Sequence, residues 1–214
     1  PDWLISLLHD ETIDQAPDVT TLQSLVDKVN SETDLMHVLR RFRQRTMLHI
    51  IWRDITRRAT TLQTTAALTA LADMCIQQAV DFLYPRLCTE FGTPCNDSGV
   101  PQSFLVIGMG KLGAFELNLS SDIDLIFAYD ESGETIFGDT RSSTSPLSQH
   151  NGNRRSILNR DFFTRLGQKL ILVIDKLTAD GFVFRVDMRL RPYGDSGALA
   201  LNYDAMEQYY QQQG

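Results

Sequence analysis

The stretch that decides the fold is Phe104-Leu-Val-Ile-Gly-Met-Gly-Lys-Leu-Gly113, followed closely by Ser120-Ser-Asp-Ile-Asp-Leu-Ile-Phe127. The first part predicts a short buried strand over 104–107 and a glycine loop after it, and the second predicts another strand over 124–129. Ten residues lie between Gly113 and Asp124, whereas a parallel crossover needs a dozen or more. We therefore expect a short helix over 114–119 and an adjacent antiparallel strand, which argues against a dinucleotide-binding fold.

The glycine loop has the spacing of a phosphate-binding turn. Glycines let backbone N–H groups approach phosphate oxygens closely, and a lysine adds a positive charge. A plain tight turn would account for one glycine but less readily for three. The pattern predicts that the loop contacts phosphate oxygens through Gly108, Gly110, Lys111 and Gly113.

Two acids follow the loop at the spacing of one strand face. At a period of two residues, Asp122 and Asp124 point to one side while Ile123 and Leu125 point into the core. Carboxylates about 7 Å apart on one strand repel each other, and a divalent cation removes that penalty. Oxygen ligands and phosphates favour Mg²⁺, with Mn²⁺ as an alternative. The S-D-x-D motif that begins at Ser121 therefore predicts a site for a metal and a phosphate-bearing ligand.

A third acid lies on a later segment that alternates between apolar and charged residues. Residues 182–190 predict a strand, and an ion-pair ladder at the surface is the simpler interpretation of its charged face alone. Beside Asp122 and Asp124, however, Asp187 would complete a two-metal site or act as a general base. The arginines of the segment would hold anionic phosphate oxygens; they are Arg185, Arg189 and Arg191.

The rest of the chain divides at a turn-rich stretch after residue 92. Helical periodicity dominates residues 1–92, where seven arginines between Arg40 and Arg58 are expected to form the solvated faces of helices. Ser31, with Asp34 three residues later, predicts a cap at the start of the second of these helices. Apolar residues at helical spacing predict a further amphipathic helix from Arg160. Residues 93–214 predict a core with a small mixed or antiparallel sheet flanked by helices. A long mobile loop is expected to interrupt this core at about 131–159. The predicted fold class is therefore α+β.

Composition excludes several classes of protein. The 214 residues carry a net charge of −7, which argues against a protein that coats nucleic acid. No apolar run approaches the ~18 residues of a membrane span, so we expect neither nucleic-acid nor membrane partners. Three cysteines without a metal-binding pattern predict reduced thiols in the cytoplasm. The chain starts at Pro1 and stops within an expected helix, which suggests a piece of a longer protein.

The motifs together resemble a known family. A glycine loop, an S-D-x-D motif and a later strand aspartate are similar to the nucleotidyltransferase superfamily typified by DNA polymerase beta. Longer strings resemble bacterial glutamine synthetase adenylyltransferase, a bifunctional adenylylating and adenylyl-removing family, through nearly the whole chain apart from 131–159. These strings are Ile107-Gly-Met-Gly-Lys-Leu-Gly113, Glu116-Leu-Asn118, Ser120-Ser-Asp-Ile-Asp-Leu-Ile-Phe127 and Val186-Asp-Met-Arg-Leu-Arg-Pro192.

The resemblance implies a polymerase-beta-like core and a specific chemistry. The strings Phe91-Gly-Thr-Pro-Cys95, Ser120-Ser-Asp-Ile-Asp124 and Gly194-Asp-Ser-Gly197 look more like the N-terminal half of that family. That half removes AMP from a tyrosine of glutamine synthetase by phosphorolysis and releases ADP.

The resemblance also implies ligands and partners. Asp122, Asp124 and Asp187 would be the catalytic, metal-binding carboxylates. The ligands would be Mg²⁺, ADP or ATP, and phosphate, and the PII signal protein would be a regulatory partner. Transfer of AMP from ATP to the tyrosine is one alternative function. A catalytically silent module that binds PII or glutamine synthetase is another.

Overall fold

The computed structural model of the chain describes residues 19–137 and 155–213. Its helices in these ranges are α1 (Val19–Val26), α2 (Glu32–Ile55), α3 (Thr61–Phe91), α4 (Gly110–Gly113), α5 (Asn159–Asp175) and α6 (Tyr203–Gln213). Its strands are β1 (Thr93–Cys95), β2 (Phe104–Met109), β3 (Ile123–Tyr129), β4 (Glu134–Ile136), β5 (Val186–Asp187) and β6 (Ala200–Asn202). The amphipathic helix predicted from residue 160 is thereby confirmed as α5.

Strand β3 is the centre of the larger sheet. The strand order is β2-β3-β5, and β6 also pairs with β3. Both β5 and β6 run parallel to β3, with Val186 opposite Ile123 and Ala200 opposite Phe127. Strands β1 and β4 form a separate antiparallel pair. This combination of helices with small mixed sheets confirms the α+β class.

Helix α2 begins at the cap that the sequence predicts. The Ser31 hydroxyl accepts a hydrogen bond from the Asp34 backbone N–H at 3.1 Å and donates one to the Asp34 carboxylate at 2.7 Å. Such a cap stabilises a helix by about 1 kcal/mol. The expectation for the arginines is wrong at Arg40, which is fully buried. Backbone carbonyl groups replace water around its guanidinium.

Helix α3 is long and apolar. By length and composition alone it would suffice to cross a membrane. Of its most apolar stretch, 61% is buried inside the fold, which is typical of a core helix. Its buried positions follow the helical period; they include Leu68, Leu71, Ala72, Cys75, Ala79 and Leu83.

The described chain forms two compact units. The first consists of residues 19–79, 108–124 and 171–187. Its core is aliphatic, and its fully buried members include Leu22, Leu35, Leu39, Leu117, Ile123, Val173, Ile174 and Val183.

The second unit consists of residues 80–107, 125–137, 155–170 and 188–213. Its core is aromatic. Phe163 stacks on Tyr129 with 4.6 Å between ring centroids, and Phe162 meets Tyr84 edge to face at 5.6 Å. Such pairs add about 0.5–1.5 kcal/mol each beyond the burial of their area. Aromatic packing therefore anchors α5 against β3 in this unit.

The predicted strand over 182–190 is wrong. Within this described segment, the ladder is limited to the two residues of β5, and Val183 and Phe184 are both buried. Consecutive buried residues break the predicted alternation of faces. The backbone gives the reason, because the N–H groups of Val183 and Phe184 both bond to the carbonyl of Ile174, at 2.9 and 3.3 Å. The segment therefore follows the end of α5 before it joins the sheet.

Two further expectations change. The short helix lies at Gly110–Gly113 rather than at 114–119, since the N–H of Ala114 bonds back to the carbonyl of Gly110 at 3.0 Å. The loop expected at 131–159 contains β4 and the first residue of α5. Residues 138–154 of that predicted loop lie outside the described residues. The predicted boundary after residue 92 stays a prediction.

Replacing Asn159 with alanine is expected to destabilise the chain by about 2 kcal/mol or more, because it leaves buried carbonyl groups without donors. The fully buried Asn159 amide donates to the carbonyl of Cys95 at 2.9 Å and to that of Glu131 at 3.1 Å. Urea denaturation measures the loss. Gln168→Ala, at an exposed position of the same helix, is the control and should cost no more than about 0.5 kcal/mol. Equal losses would contradict the prediction.

Stability should fall at alkaline pH because of one buried thiol. Burial raises the pKa of Cys75 from about 9 to about 12, although the Arg43 guanidinium opposes this shift. Between these two pH values the unfolded chain releases the proton and the folded chain keeps it, so the free energy of unfolding decreases as pH rises. Denaturation of the wild type and of Cys75→Ala across this range measures the effect. The variant should lose less stability with pH, and parallel curves would show that Cys75 contributes nothing.

Candidate functional site

Two of the predicted acids are the second residues of β3 and β5, within the first unit. The parallel register of the two strands places Asp124 beside Asp187. Residues in register point to the same face of a sheet, about 4.8 Å apart along the hydrogen-bonding direction. Ile123 and Leu125 are buried and Asp122 is exposed, as the alternation predicts. The structure therefore brings Asp124 and Asp187 together on one face.

The glycine loop packs directly against this pair. Gly110 has φ = +54°, and a Cβ built there would lie 2.6 Å from Oδ2 of Asp124, far inside van der Waals contact. A Cβ at Gly113 would collide with the carbonyl oxygen of Gly108. Bare backbone at Gly110 is therefore required for the Asp124 carboxylate to lie where it does. The Lys111 side chain, one residue later, is exposed.

Arg185 holds the remaining predicted acid. Its Nε donates to Oδ1 of Asp122 at 2.5 Å, and its Nη2 donates to the carbonyl oxygen of Ser120 at 2.9 Å. The two charged side chains are 56% and 49% exposed, so their pairing stabilises the fold by no more than about 1 kcal/mol. Arg185 thus contacts a carboxylate here, whereas the sequence predicts a contact with phosphate. A pair this exposed can exchange one anion for the other at little cost.

Asn118 shapes the turn that leads into the acids, a role that the sequence did not predict. Its Oδ1 accepts hydrogen bonds from the backbone N–H of Ser120 at 3.1 Å and from the hydroxyl of Ser121 at 2.8 Å. Ser121, predicted as a nucleotide ligand, is therefore part of this turn. An available signal was the preference of asparagine for turns in which its side chain bonds the backbone two residues on.

The donor set fits a divalent cation in part. Asp124 and Asp187 supply adjacent carboxylate oxygens, which are the ligands that Mg²⁺ prefers. Among the residues that the structure describes, no three His, Cys, Asp or Glu side chains are grouped closely enough to hold a metal ion. Asp122 is engaged by Arg185. A cation bound here would therefore use two protein carboxylates and take further ligands from water or from a substrate phosphate.

The other predicted arginines belong to the second unit. The Nη1 of Arg191 donates to the carbonyl of Met188 at 2.7 Å, and the guanidinium lies 3.5 Å from the carboxylate of Asp195. Arg191 therefore organises its own turn. Arg189 is exposed. The contacts of these two side chains with phosphate stay predictions.

The arrangement in the first unit suits the transfer of a phosphoryl or nucleotidyl group. Such reactions depend on positioning and on neutralising charge more than on covalent chemistry with the protein. Three features meet these requirements: paired carboxylates for a cation, an arginine whose carboxylate partner a phosphate could replace, and bare backbone at Gly110.

Comparison with known proteins places the chain in one family. A family model described as glutamate-ammonia ligase adenylyltransferase matches residues 1–214. The chain is 55% identical over 194 residues to the bifunctional glutamine synthetase adenylyltransferase/adenylyl-removing enzyme of Pseudomonas aeruginosa, a match that covers 90% of the chain and 18% of the relative.

Two further relatives carry the same name. In Pseudomonas putida the identity is 57% over 185 residues, covering 86% of the chain and 17% of the relative. In Pseudomonas syringae pv. tomato the identity is 48% over 219 residues, covering 100% of the chain and 21% of the relative. The chain thus spans about a fifth of the length of these curated relatives. With a family model that matches it from end to end, the chain belongs to the glutamate-ammonia ligase adenylyltransferase family.

Proposed function

We propose that this chain carries a Mg²⁺-dependent nucleotidyltransferase site that removes AMP from the adenylylated tyrosine of glutamine synthetase by phosphorolysis. The observation that carries the proposal is the register of β3 and β5, which sets Asp124 beside Asp187 against the bare backbone of Gly110. Membership of the family supplies the substrate class, since the relatives are named for adenylyl transfer and adenylyl removal on glutamine synthetase.

Asp124 and Asp187 would hold the cation. When bound, Mg²⁺ neutralises charge that develops on the oxygens of the transferred group. Asp122 is a third ligand only when its carboxylate is released from Arg185. The released Arg185 guanidinium would then be available to a phosphate oxygen, which it contacts with the same charge-assisted geometry.

The reaction requires little acid–base catalysis by the protein. An oxygen of inorganic phosphate forms a bond to the phosphorus of AMP, the bond from that phosphorus to the tyrosine oxygen breaks, and the tyrosine oxygen takes up a proton. The products are ADP and the unmodified tyrosine side chain of glutamine synthetase. Phosphate is already ionised at neutral pH, so a strong general base is not required. The chain's task is to align the two reactants and to balance their charge.

The direction of the reaction is proposed from the sequence. Phe91–Cys95, Ser120–Asp124 and Gly194–Gly197 resemble the N-terminal, adenylyl-removing half of the family. Transfer of AMP from ATP to the tyrosine is the opposite outcome of the same test, and the names of the relatives include both activities. The PII signal protein as a regulator, ATP as a ligand and a cytoplasmic location remain part of the proposal on grounds of family resemblance alone.

Release of ADP from adenylylated glutamine synthetase, with Mg²⁺ and phosphate present, tests the proposed activity directly. Asp124→Asn should lower the rate by about a hundredfold or more, because it removes a carboxylate that would hold the cation, and with it the positive charge that would stabilise the transferred group. Asp97→Asn, at an exposed acid in a turn, is the control and should leave the rate unchanged.

The assay also separates the alternatives. Release of pyrophosphate with ATP and unmodified glutamine synthetase, without ADP release in the first assay, would assign the opposite reaction. Absence of both activities, with Mn²⁺ binding also absent in calorimetry, would assign a silent binding module and overturn the proposal.

Gly110→Ala should weaken the binding of Mn²⁺ by at least about tenfold, because the new Cβ would displace the Asp124 carboxylate, and metal sites lose about 10–100-fold when ligand positioning is disturbed. Gly99→Ala is a matched control, since Gly99 also has a positive φ of +78° but faces open space. Both variants should lose about 1–2 kcal/mol of stability from backbone strain. Calorimetry and urea denaturation measure the two effects. Equal Mn²⁺ affinity in the two variants would show that the Gly110 contact is unrelated to metal binding.

A further inference from the structure

Arg40 is a fully buried charged residue of the first unit, and the proposed reaction does not use it. It lies on α2, has no exposed surface, and is separated by more than 130 residues from most of its hydrogen-bond partners. Burial lowers the pKa of Arg40, and the nearby carboxylates of Asp180 and Asp175 oppose that shift. Burying an arginine is costly unless each donor is satisfied. Its partners therefore indicate what the residue is retained for.

The partners of Arg40 are four backbone carbonyl groups, of which two lie at the end of α5 and one in the segment that follows it. Nη1 donates to Val173 at 2.9 Å, Nη2 donates to Lys176, and Nε donates to Gly181 at 2.8 Å. A further bond, from Nη1 to Met36 at 3.0 Å, ties the guanidinium to its own helix. The side chain thus satisfies carbonyls that the end of a helix leaves without partners.

Two neighbours of Arg40 on α2 hold the segment that follows α5. Gln44 donates to the carbonyl of Asp180 at 2.8 Å. The Arg43 guanidinium lies over the ring of Phe182 at 5.3 Å and over that of Phe184 at 5.5 Å. Residues 180–184 are therefore fixed to α2 at several points.

The same end of α5 sets the path into β5. The carbonyl of Ile174 accepts the N–H groups of Val183 and Phe184. The carboxylate of Asp175 accepts the N–H of Val186 at 3.3 Å. The carbonyls capped by Arg40 belong to this same helix end, so its position determines where the two residues of β5 begin.

Strand β5 connects the end of α5 to the pair formed by Asp124 and Asp187. The carbonyl of Arg185 accepts the N–H of Ile123 at 2.9 Å, and the following pair in the register is Asp124 with Asp187. A ladder of two residues has few hydrogen bonds of its own with which to resist a shift along the strand. The position of Asp187 must therefore be supported from outside the sheet.

We propose that Arg40 is a positioning residue for the acid pair, which fixes Asp187 beside Asp124 through the end of α5. The proposal rests on the proposed function of that pair. The distinguishing feature of this role is that Arg40 would act on Asp124 and Asp187 through the end of α5, because its hydrogen bonds go to backbone carbonyl groups.

The test uses Arg40→Met, Arg40→Lys and, as a control, Leu22→Ala in the 214-residue chain. Leu22 is fully buried on α1 of the same unit, so its loss lowers global stability without removing a bond to the α5 end. Arg40→Lys keeps the charge and part of the hydrogen bonding, and it carries the test if the methionine variant does not fold. Urea denaturation gives the global loss in each variant.

Hydrogen exchange and Mn²⁺ titration give the local effect. In the Arg40 variants, the amides of Val183, Phe184 and Val186 should exchange at least about tenfold faster than the loss of global stability explains. Mn²⁺ affinity should fall by about tenfold or more, with Arg40→Lys between the wild type and Arg40→Met. In Leu22→Ala, neither amide exchange nor Mn²⁺ affinity should change by more than the loss of global stability explains.

Three results have distinct consequences. Exchange and affinity that follow global stability alone, as in Leu22→Ala, would overturn the positioning role. Faster exchange with unchanged Mn²⁺ affinity would overturn it too, since the segment would then be loosened without effect on the site. Absence of Mn²⁺ binding by the wild type would overturn the proposed function instead, and the exchange of the three amides would still decide whether Arg40 holds β5.

Discussion

The pairing of β5 with β3 is the constraint on which the acid pair depends. Its register includes two residue pairs, Ile123 with Val186 and Asp124 with Asp187. Each backbone hydrogen bond contributes about 1 kcal/mol net, and like charges directly opposite each other oppose the pairing. A strand this short cannot hold two carboxylates side by side from its own ladder. The surrounding structure must supply the difference.

Three sets of contacts within the first unit support the pairing of β5 with β3. Gly110 provides bare backbone where any side chain would displace Asp124. Arg185 contacts Asp122 and the carbonyl of Ser120, which joins the start of β3 to the residue before β5. The end of α5 accepts hydrogen bonds from the backbone N–H groups of Val183, Phe184 and Val186. These contacts restrain the register from outside its short ladder.

The sequence predicted the parts of this arrangement that are local. The alternation at 122–125, the cap at Ser31 and the helical periods of α3 and α5 depend on neighbours within a few residues, and a repeat of 2 or 3.6 residues reports them directly. The later strand was wrong because an apolar–charged alternation records which residues a segment buries but not what its backbone bonds to. At Val183 and Phe184 the backbone bonds to the end of a helix, and a sequence period does not reveal such a partner.

The burial of Arg40 is a second feature that local sequence patterns do not predict. Seven arginines between residues 40 and 58 look alike in the sequence, and an amphipathic reading assigns them all to solvent. What distinguishes Arg40 is a set of carbonyl acceptors more than 130 residues away, which exists only after α2 and the end of α5 have met. The charge is tolerated because four bonds replace its hydration. Helices that contain none of the three predicted site acids are in this way part of what positions those acids, and the geometry of the site is a property of the whole first unit rather than of its motifs.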